Sequence, residues 1–283
     1  MMDEDLVWLE PMSPKEIIED DLVKKHKKDK FYVLYSGGKD SGCVDDFIAK
    51  NYPEYYGGRV FTNTTIASQI TRKFALEYSK ELGRPIEMTW PRKTFYDIVI
   101  KKGFPGAGSH GIIMGYLKFH SWYYYMKDKI KKGEKACFIS GVRKKESWAR
   151  DKKKFYTKKP VDINANMTFC KPFLYKNGSQ LMEYFVKNGV KKSPAYDYFD
   201  KSGECWCGCF YNDWELKMIE KNDPFLFDTL KWMEKQVQLK GTKMAKKFPH
   251  WGRSVGAEMS ELQSTLGEFL VNEDYCGESC QIA

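Results

Sequence analysis

The chain has 283 residues, of which 42% are hydrophobic and 30% charged, and its formal net charge is +9. This length and composition are typical of one large α/β domain with an appendage, and they exclude global disorder and a small disulfide-stapled protein. The excess of positive charge favours an anionic partner without identifying it. The acidic residues 1–20 are unlike a secretory leader, and no run approaches the ~18 apolar residues of a membrane span, so we expect a cytoplasmic protein without membrane contact.

Short apolar runs rich in aromatic and β-branched residues predict the strands of a sheet. The predicted strands are residues 31–35, 59–62, 85–90 and 136–141. Helical spacing of apolar residues separates them, at residues 41–50, at residues 68–82 and in an aromatic segment that ends at about Lys131. Because strand and helix patterns alternate, we predict an α/β fold with a Rossmann-like, doubly wound and mostly parallel sheet, whose ligands bind at the carboxyl ends of the strands.

A loop of small and polar residues joins the first predicted strand to the first predicted helix. It reads Ser36-Gly37-Gly38-Lys39-Asp40-Ser41, and we name residues 36–41 the phosphate loop. Glycines let the backbone approach an anion closely, while the free N–H groups and the dipole at the start of a helix favour negative charge. Lys39 adds a point charge, and Asp40 orients the loop or holds a magnesium ion. The spacing is too short for the loop of P-loop NTPases.

With Tyr35 in front of it, the phosphate loop resembles that of the PP-loop adenine nucleotide α-hydrolases, or N-type ATP pyrophosphatases. Residues 141–150 make the resemblance closer to the phosphoadenosine phosphosulfate (PAPS) reductase branch, whose Gly-x-Arg-x-x-Glu-Ser-x-x-Arg element also follows a strand. Further similar segments are Gly103-Phe104-Pro105, Leu117-Lys118, Lys171-Pro172-Phe173 and Pro194-x-x-Asp197-Tyr198. The match spans about residues 30 to 212 and implies a nucleotide bound across the phosphate loop and the arginine element.

The resemblance implies a set of residues that bind the adenine nucleotide, which is ATP or PAPS. They are Ser36, Gly37, Gly38, Lys39, Asp40, Ser41, Asn63, Lys118, Gly141, Arg143, Glu146, Ser147 and Arg150. Arg143 and Arg150 offer planar forks for phosphate or sulfate, and Glu146 can hold one of them in place. Asn63 stands where relatives bind the nucleoside, often with an Asp, and a simple turn is the alternative interpretation.

The elements and the resemblance together predict three parts of the chain. Residues 1–29 form an N-terminal extension, residues 30–210 the nucleotide-binding domain, and residues 211–283 a helical region with a cysteine-bearing tail. Within the last part, Pro224 is a predicted helix start.

Three cysteines fall within five residues, in Cys205-Trp206-Cys207-Gly208-Cys209. Thiolates crowded this closely are typical of a metal or iron–sulfur site, and Cys170 or a tail cysteine is the candidate fourth ligand. Relatives commonly have Cys-x-x-Cys here, so the departure leaves the ligands open. The alternatives, in order, are an iron–sulfur cluster, zinc and no metal.

The tail sequence Cys276-Gly277 loosely resembles the mobile tail that carries the nucleophilic cysteine of the reductases. Cys276 is therefore the candidate catalytic residue, since attack on a sulfonucleotide needs a thiolate. A metal ligand or an idle thiol is the alternative, because the flanking residues of the reductases are absent.

Two enzymatic functions and one other fit these patterns. A sulfonucleotide reductase would reduce PAPS or adenylyl sulfate to sulfite with a thiol electron donor. An ATP pyrophosphatase would activate a sulfur carrier or a nucleic acid, as in DNA phosphorothioation or tRNA thiolation. The intact phosphate loop and the basic residues 143–159 favour the second, whereas the tail cysteine and family similarity favour the first. The third is a nucleotide-binding protein without catalysis.

Overall fold

The computed structural model describes residues 12–144, 159–164, 167–211 and 213–252. Its centre is one six-stranded sheet. The strands are β1 (Lys30–Leu34), β2 (Tyr56–Thr62), β3 (Ile86–Thr89), β4 (Ala136–Ile139), β5 (Val161–Asn164) and β6 (Met167–Cys170). They lie in the order β3-β2-β1-β4-β6-β5, and all neighbours are parallel except the β5–β6 hairpin. The predicted mostly parallel α/β fold is confirmed.

Helices cover both faces of the sheet and continue beyond it. They are α1 (Pro14–Glu16, continued by the π-helical Ile17–Lys25), α2 (Lys39–Asn51), α3 (Gln69–Glu81), α4 (Phe95–Lys102), α5 (His110–Met114), α6 (His120–Lys131), α7 (Gly178–Lys187), α8 (Tyr196–Phe199), α9 (Asp213–Asn222), α10 (Pro224–Lys240) and α11 (Lys243–Lys246). A π-helical turn, Gly115–Phe119, joins α5 to α6. Pro224 begins α10, as the sequence predicts. In these ranges no helix is long and apolar enough to cross a membrane.

The side chains of β1 alternate between two cores, as the pleat of a strand requires. Phe31 and Val33 pack with Ile48 of α2 on one face of the sheet. Tyr32 lies on the other face, in the core that includes Trp122 of α6. The sheet is therefore buried on both faces, which is the usual state of parallel strands.

A buried group of charged residues fixes α2 against β2 and α3. Asp45 of α2 and Arg59 of β2 are fully or almost fully buried, and Arg59 Nη2 lies 2.6 Å from Asp45 Oδ2. Arg84 also donates to Asp45 (2.7 Å), and the hydroxyl of Tyr56 donates to its other oxygen (2.6 Å). Arg59 further contacts Ser79 of α3. The sequence patterns do not reveal this network, because its members lie far apart in the chain.

The C-terminal helices share a core with the region after β3. Phe95 and Val99 of α4 pack with Leu230 and Val237 of α10. Trp206 lies fully buried in the same core, together with Cys207 and Cys209. This packing holds the cysteine-rich loop next to the sheet.

Candidate nucleotide and cysteine site

The phosphate loop is shaped by the hydroxyls of its two serines. The backbone N–H of Ser36 donates to Ser41 Oγ (3.1 Å), and the N–H of Gly38 donates to Ser36 Oγ (3.3 Å). Ser41 Oγ in turn donates to the carbonyl of Gly38 (3.1 Å). Gly38 is the N-cap of α2, and the chain therefore turns directly from β1 into the positive end of a helix dipole. This is the geometry that binds anions at helix N-termini.

Two glycines permit the close packing at this site, one within the phosphate loop and one after β4. Gly37 has φ +73°, a left-handed conformation that side chains rarely adopt, and a Cβ there would lie 3.0 Å from Thr71 Cγ2. At Gly141, after β4, a Cβ would lie 2.8 Å from the carbonyl carbon and oxygen of Asp40. The backbone after β4 therefore touches the first turn of α2, as the Gly-x-Arg motif requires.

Arg143 completes this contact with its side chain. Its Nε lies 2.5 Å from Asp40 Oδ1, and only 6% of the residue is exposed. A guanidinium is thus held at the N-terminus of α2, where its remaining N–H groups can meet an anion. The other predicted residues of this element, Glu146, Ser147 and Arg150, lie outside the described residues.

Asn63 lies after β2 and is 6% exposed. Its Oδ1 accepts a hydrogen bond from the N–H of Thr65 (2.8 Å), and Thr65 has a positive φ of 60°. The amide of Asn63 thus stabilises a local turn, which is the alternative given for it from the sequence. Its role toward a nucleoside stays a prediction.

Lys118 lies beside the cysteines. Its Nζ is 2.6 Å from Glu204 Oε2, and both side chains are largely buried. Burial lowers the pKa of Lys118, but the neighbouring Glu204, Cys205 and Cys207 outweigh it and raise the pKa above its ordinary value. Lys118 is therefore a firmly charged ammonium at the cysteine loop.

The cysteine loop is tied to the segment that follows β2. Thr64 Oγ1 donates to the carbonyl of Glu204 (2.8 Å), and the N–H of Trp206 donates to the carbonyl of Ile66 (3.0 Å). The indole of Trp251 donates to the carbonyl of Trp206 (2.8 Å) from the other side. The loop is thus held at the carboxyl edge of the sheet, the same edge as the phosphate loop.

The thiols of Cys205 and Cys207 have raised pKa values, because they lie close to one another and are buried. Cys207 interacts with both Cys205 and Cys209. The hydrogen bond with Cys205 lowers the pKa of Cys207, whereas the hydrogen bond with Cys209 and burial raise it, to about 12 in sum. At neutral pH the thiols of Cys205 and Cys207 are therefore protonated unless a cation binds them.

Cys170 is not brought to the other three cysteines. It ends β6, pairs with Ile139 of β4 and lies in the core under α2, with Cys137 nearby. Over the described ranges, no group of three or more His, Cys, Asp or Glu side chains is arranged to hold a metal ion. The metal set predicted from the sequence is thus not assembled there. The tail cysteines, including Cys276, lie outside the described residues.

The structure adds a segment that the sequence prediction did not include in the site. The N–H of Ser193 donates to the carbonyl of Gly37 (2.8 Å), and its hydroxyl is 2.9 Å from Thr71 Oγ1. A Cβ at Gly38 would lie 3.0 Å from the hydroxyl of Tyr196. The start of α8 therefore covers the phosphate loop. The similar segment Pro194-x-x-Asp197-Tyr198 lies here in the sequence, but its motif positions do not include Ser193 or Tyr196.

Comparisons with known proteins identify a family for most of this region of the chain. The family model of the phosphoadenosine phosphosulfate reductase domain matches residues 30–207. A search of curated proteins found no match.

Among solved structures, a PAPS reductase from Candida auris in a phosphate complex is 14% identical, with a TM-score of 0.44 over 66% of this chain and 84% of the other. The FMN adenylyltransferase of Candida glabrata with FAD and pyrophosphate is 13% identical, with a TM-score of 0.46 over 66% of this chain and 59% of that one. The U34-tRNA thiolase NcsA of Methanococcus maripaludis, with its [4Fe-4S] cluster, is 12% identical, with a TM-score of 0.44 over 80% and 78% of the two chains. Since the family model covers well over half of the sequence, the chain belongs to the phosphoadenosine phosphosulfate reductase domain family.

Proposed function

We propose that the chain is an enzyme that binds an adenine nucleotide at the phosphate loop and breaks the bond just beyond its α-phosphate, in sulfur chemistry. The observation that carries this proposal is the contact of Arg143 and Gly141 with Asp40 at the N-terminus of α2. A helix N-terminus and a buried guanidinium converge there on one small volume. Such a volume suits the phosphates of a nucleotide.

Different residues at the phosphate loop bind the phosphates and stabilise the leaving group. The backbone N–H groups at the start of α2 and the Lys39 ammonium bind the negative charge. Arg143, which Asp40 orients, stabilises the charge that grows on the leaving group as the bond breaks. A magnesium ion at Asp40 stays a prediction, since that carboxylate already accepts from Arg143.

The first reaction is the reduction of a sulfonucleotide to sulfite. The Cys276 thiolate attacks the sulfur atom, the bond from sulfur to the phosphate oxygen breaks, and the adenosine phosphate leaves with the electron pair. A thiol donor then attacks Cys276, forms a disulfide with it and releases sulfite. Family membership supports this reaction.

The second reaction is the adenylation of an acceptor by ATP with loss of pyrophosphate. The complete Ser-Gly-Gly-Lys-Asp-Ser sequence of the phosphate loop favours it, because Lys39 and the N–H groups at the start of α2 would stabilise a leaving pyrophosphate. In this case the cysteines would act later, in delivery of sulfur to the activated acceptor.

A product assay separates these reactions. The wild-type protein is given PAPS with a thiol donor, and ATP in a separate reaction, and sulfite and pyrophosphate are measured. The reductase is established if sulfite formation is lost in Cys276→Ser and retained in Cys280→Ser, which removes the second cysteine of the tail. Pyrophosphate from ATP in all three proteins establishes the pyrophosphatase. If the wild type forms neither sulfite nor pyrophosphate, the proposal is contradicted and the non-catalytic alternative remains.

A further inference from the structure

A surface that joins exposed aromatic rings to cations lies after β3. Trp90 is 57% exposed and Tyr124 of α6 is 40% exposed. The guanidinium carbon of the exposed Arg92 lies 3.8 Å from the centre of the Tyr124 ring. Lys93 and Lys127 are exposed next to these residues. We name Trp90, Arg92, Lys93, Tyr124 and Lys127 the β3 edge surface.

The charge of this region is strongly one-sided. Residues 88–127 hold six Lys or Arg residues and a single acidic residue, Asp97. Asp97 forms part of the N-terminal cap of α4, where its carboxylate accepts hydrogen bonds from the N–H and the hydroxyl of Thr94. Burial lowers the pKa of the nearby His120, and the positive charges of Arg92 and Lys93 lower it further. The field at this surface is therefore positive.

Cations of this region also lie against neighbouring tyrosine rings. Tyr123 and Tyr124 meet edge to face with their centroids 5.3 Å apart, and Lys127 Nζ lies 5.6 Å from the centre of the Tyr123 ring. Lys93 Nζ lies 5.4 Å from the centre of the Tyr116 ring. Stacking against Arg92 orders the Tyr124 ring and leaves it partly exposed.

The surface also lies at the same edge of the sheet as the phosphate loop. Trp90 directly follows β3, and β3, β2 and β1 are parallel neighbours. With about 4.8 Å between strands, the carboxyl ends of β3 and β1 lie roughly 10 Å apart. A ligand on the surface is therefore close enough to present a group to a nucleotide in the loop.

Exposed aromatic rings between cations are the features by which proteins hold unpaired bases and their phosphates. A duplex offers no unpaired base that could stack on the rings. An acidic protein segment would pair with the cations but would offer no planar base to stack on Trp90 and Tyr124. We propose that the β3 edge surface binds single-stranded nucleic acid, with bases against Trp90 and Tyr124 and phosphates against Arg92, Lys93 and Lys127.

This binding does not depend on which reaction the nucleotide site performs, so it can be measured alone. Fluorescence anisotropy of labelled RNA and DNA single strands of about 20 nucleotides, and of a duplex of the same sequence, gives the dissociation constants. Trp90→Ala and Arg92→Ala are compared with Trp214→Ala and Lys217→Ala on α9. Trp214 is 63% exposed, so the control removes a similar ring from another surface.

We expect Trp90→Ala to weaken single-strand binding about 5- to 100-fold, since one stacked base is worth that much. Arg92→Ala weakens it and reduces its salt dependence, because a phosphate contact is lost. The α9 variants bind like the wild type. The RNA and DNA arms identify the preferred strand.

Three results overturn the proposal. They are no binding by the wild type, tighter binding of the duplex than of the single strands, and equal losses in the Trp90 and Trp214 variants. None of them touches the nucleotide reaction, since the product assay contains no nucleic acid.

Discussion

Arg143 and the two loop serines are the residues through which the sequence best anticipates the site. Gly141 contacts α2 and thereby places Arg143, and the serine hydroxyls hydrogen-bond within the phosphate loop. The serine hydrogen bonds are local to the end of β1 and the start of α2, and Gly141 and Arg143 follow β4, whose carboxyl end lies next to that of β1, so both motifs can encode their contacts. The same motif names Glu146 and Arg150, whose roles stay predictions.

The cysteines show where motif reading fails at the residue scale. Sequence spacing groups Cys205, Cys207 and Cys209 correctly, but it cannot tell which face of the sheet Cys170 occupies. The pairing of β4 with β6 places Cys170 in the core under α2, away from the other three. Tyr196 was missed for the related reason that its contact with the phosphate loop spans most of the domain.

Cys207 provides a test of the metal prediction, because it lies between the other two thiols. If the loop holds iron–sulfur or zinc, protein purified without oxygen carries that metal, and Cys207→Ser loses most of it. Iron and zinc are counted by mass spectrometry. Cys137→Ala, which removes a buried thiol of β4, serves as the control and keeps the metal. Metal-free wild type, or a Cys207→Ser variant with full metal content, would show the prediction wrong.

At the scale of elements, the strand and helix patterns predicted β1 to β4, α2 and α3 with ends within a few residues, and they also predicted the end of α6 and the start of α10. They missed the β5–β6 hairpin and α1. The hairpin strands are only four residues each, and the pairing of β5 depends on β6 being already in the sheet. The burial of α1 against the same core as α2 is likewise set by tertiary packing rather than by its own pattern.

The charged network between α2, β2 and α3 has a measurable effect on stability. Asp45→Asn removes the carboxylate that Arg59 and Arg84 share, and it leaves the buried Arg59 guanidinium without its anionic partner, whereas Arg84 keeps its ion pair with Asp46. We expect the free energy of unfolding to fall by about 3–5 kcal/mol in urea titrations. Asp128→Asn, which removes an exposed partner of Lys132, leaves it unchanged. Equal stability of the two variants would rule out a structural role for the network.

At the scale of the whole molecule, three features share one edge of the sheet: the phosphate loop, the cysteine loop and the β3 edge surface. Parallel strands explain this, because their carboxyl ends lie on the same side. The sequence predicts the edge, since the alternation of strands and helices defines it. It does not predict which loops meet across it, because the docking of residues 193–206 on the phosphate loop and on the segment after β2 depends on the folded C-terminal helices.

The most direct test of the nucleotide site is a calorimetric titration with ATP and with PAPS of the wild type, Arg143→Ala and Lys144→Ala. Arg143 is buried against Asp40, whereas the next side chain, Lys144, is exposed. We predict that Arg143→Ala binds the preferred nucleotide roughly 10- to 100-fold more weakly, as expected for a lost charge-assisted hydrogen bond, while Lys144→Ala binds like the wild type. Equal affinities of the two variants, or no binding of either nucleotide by the wild type, would contradict the site described for this chain.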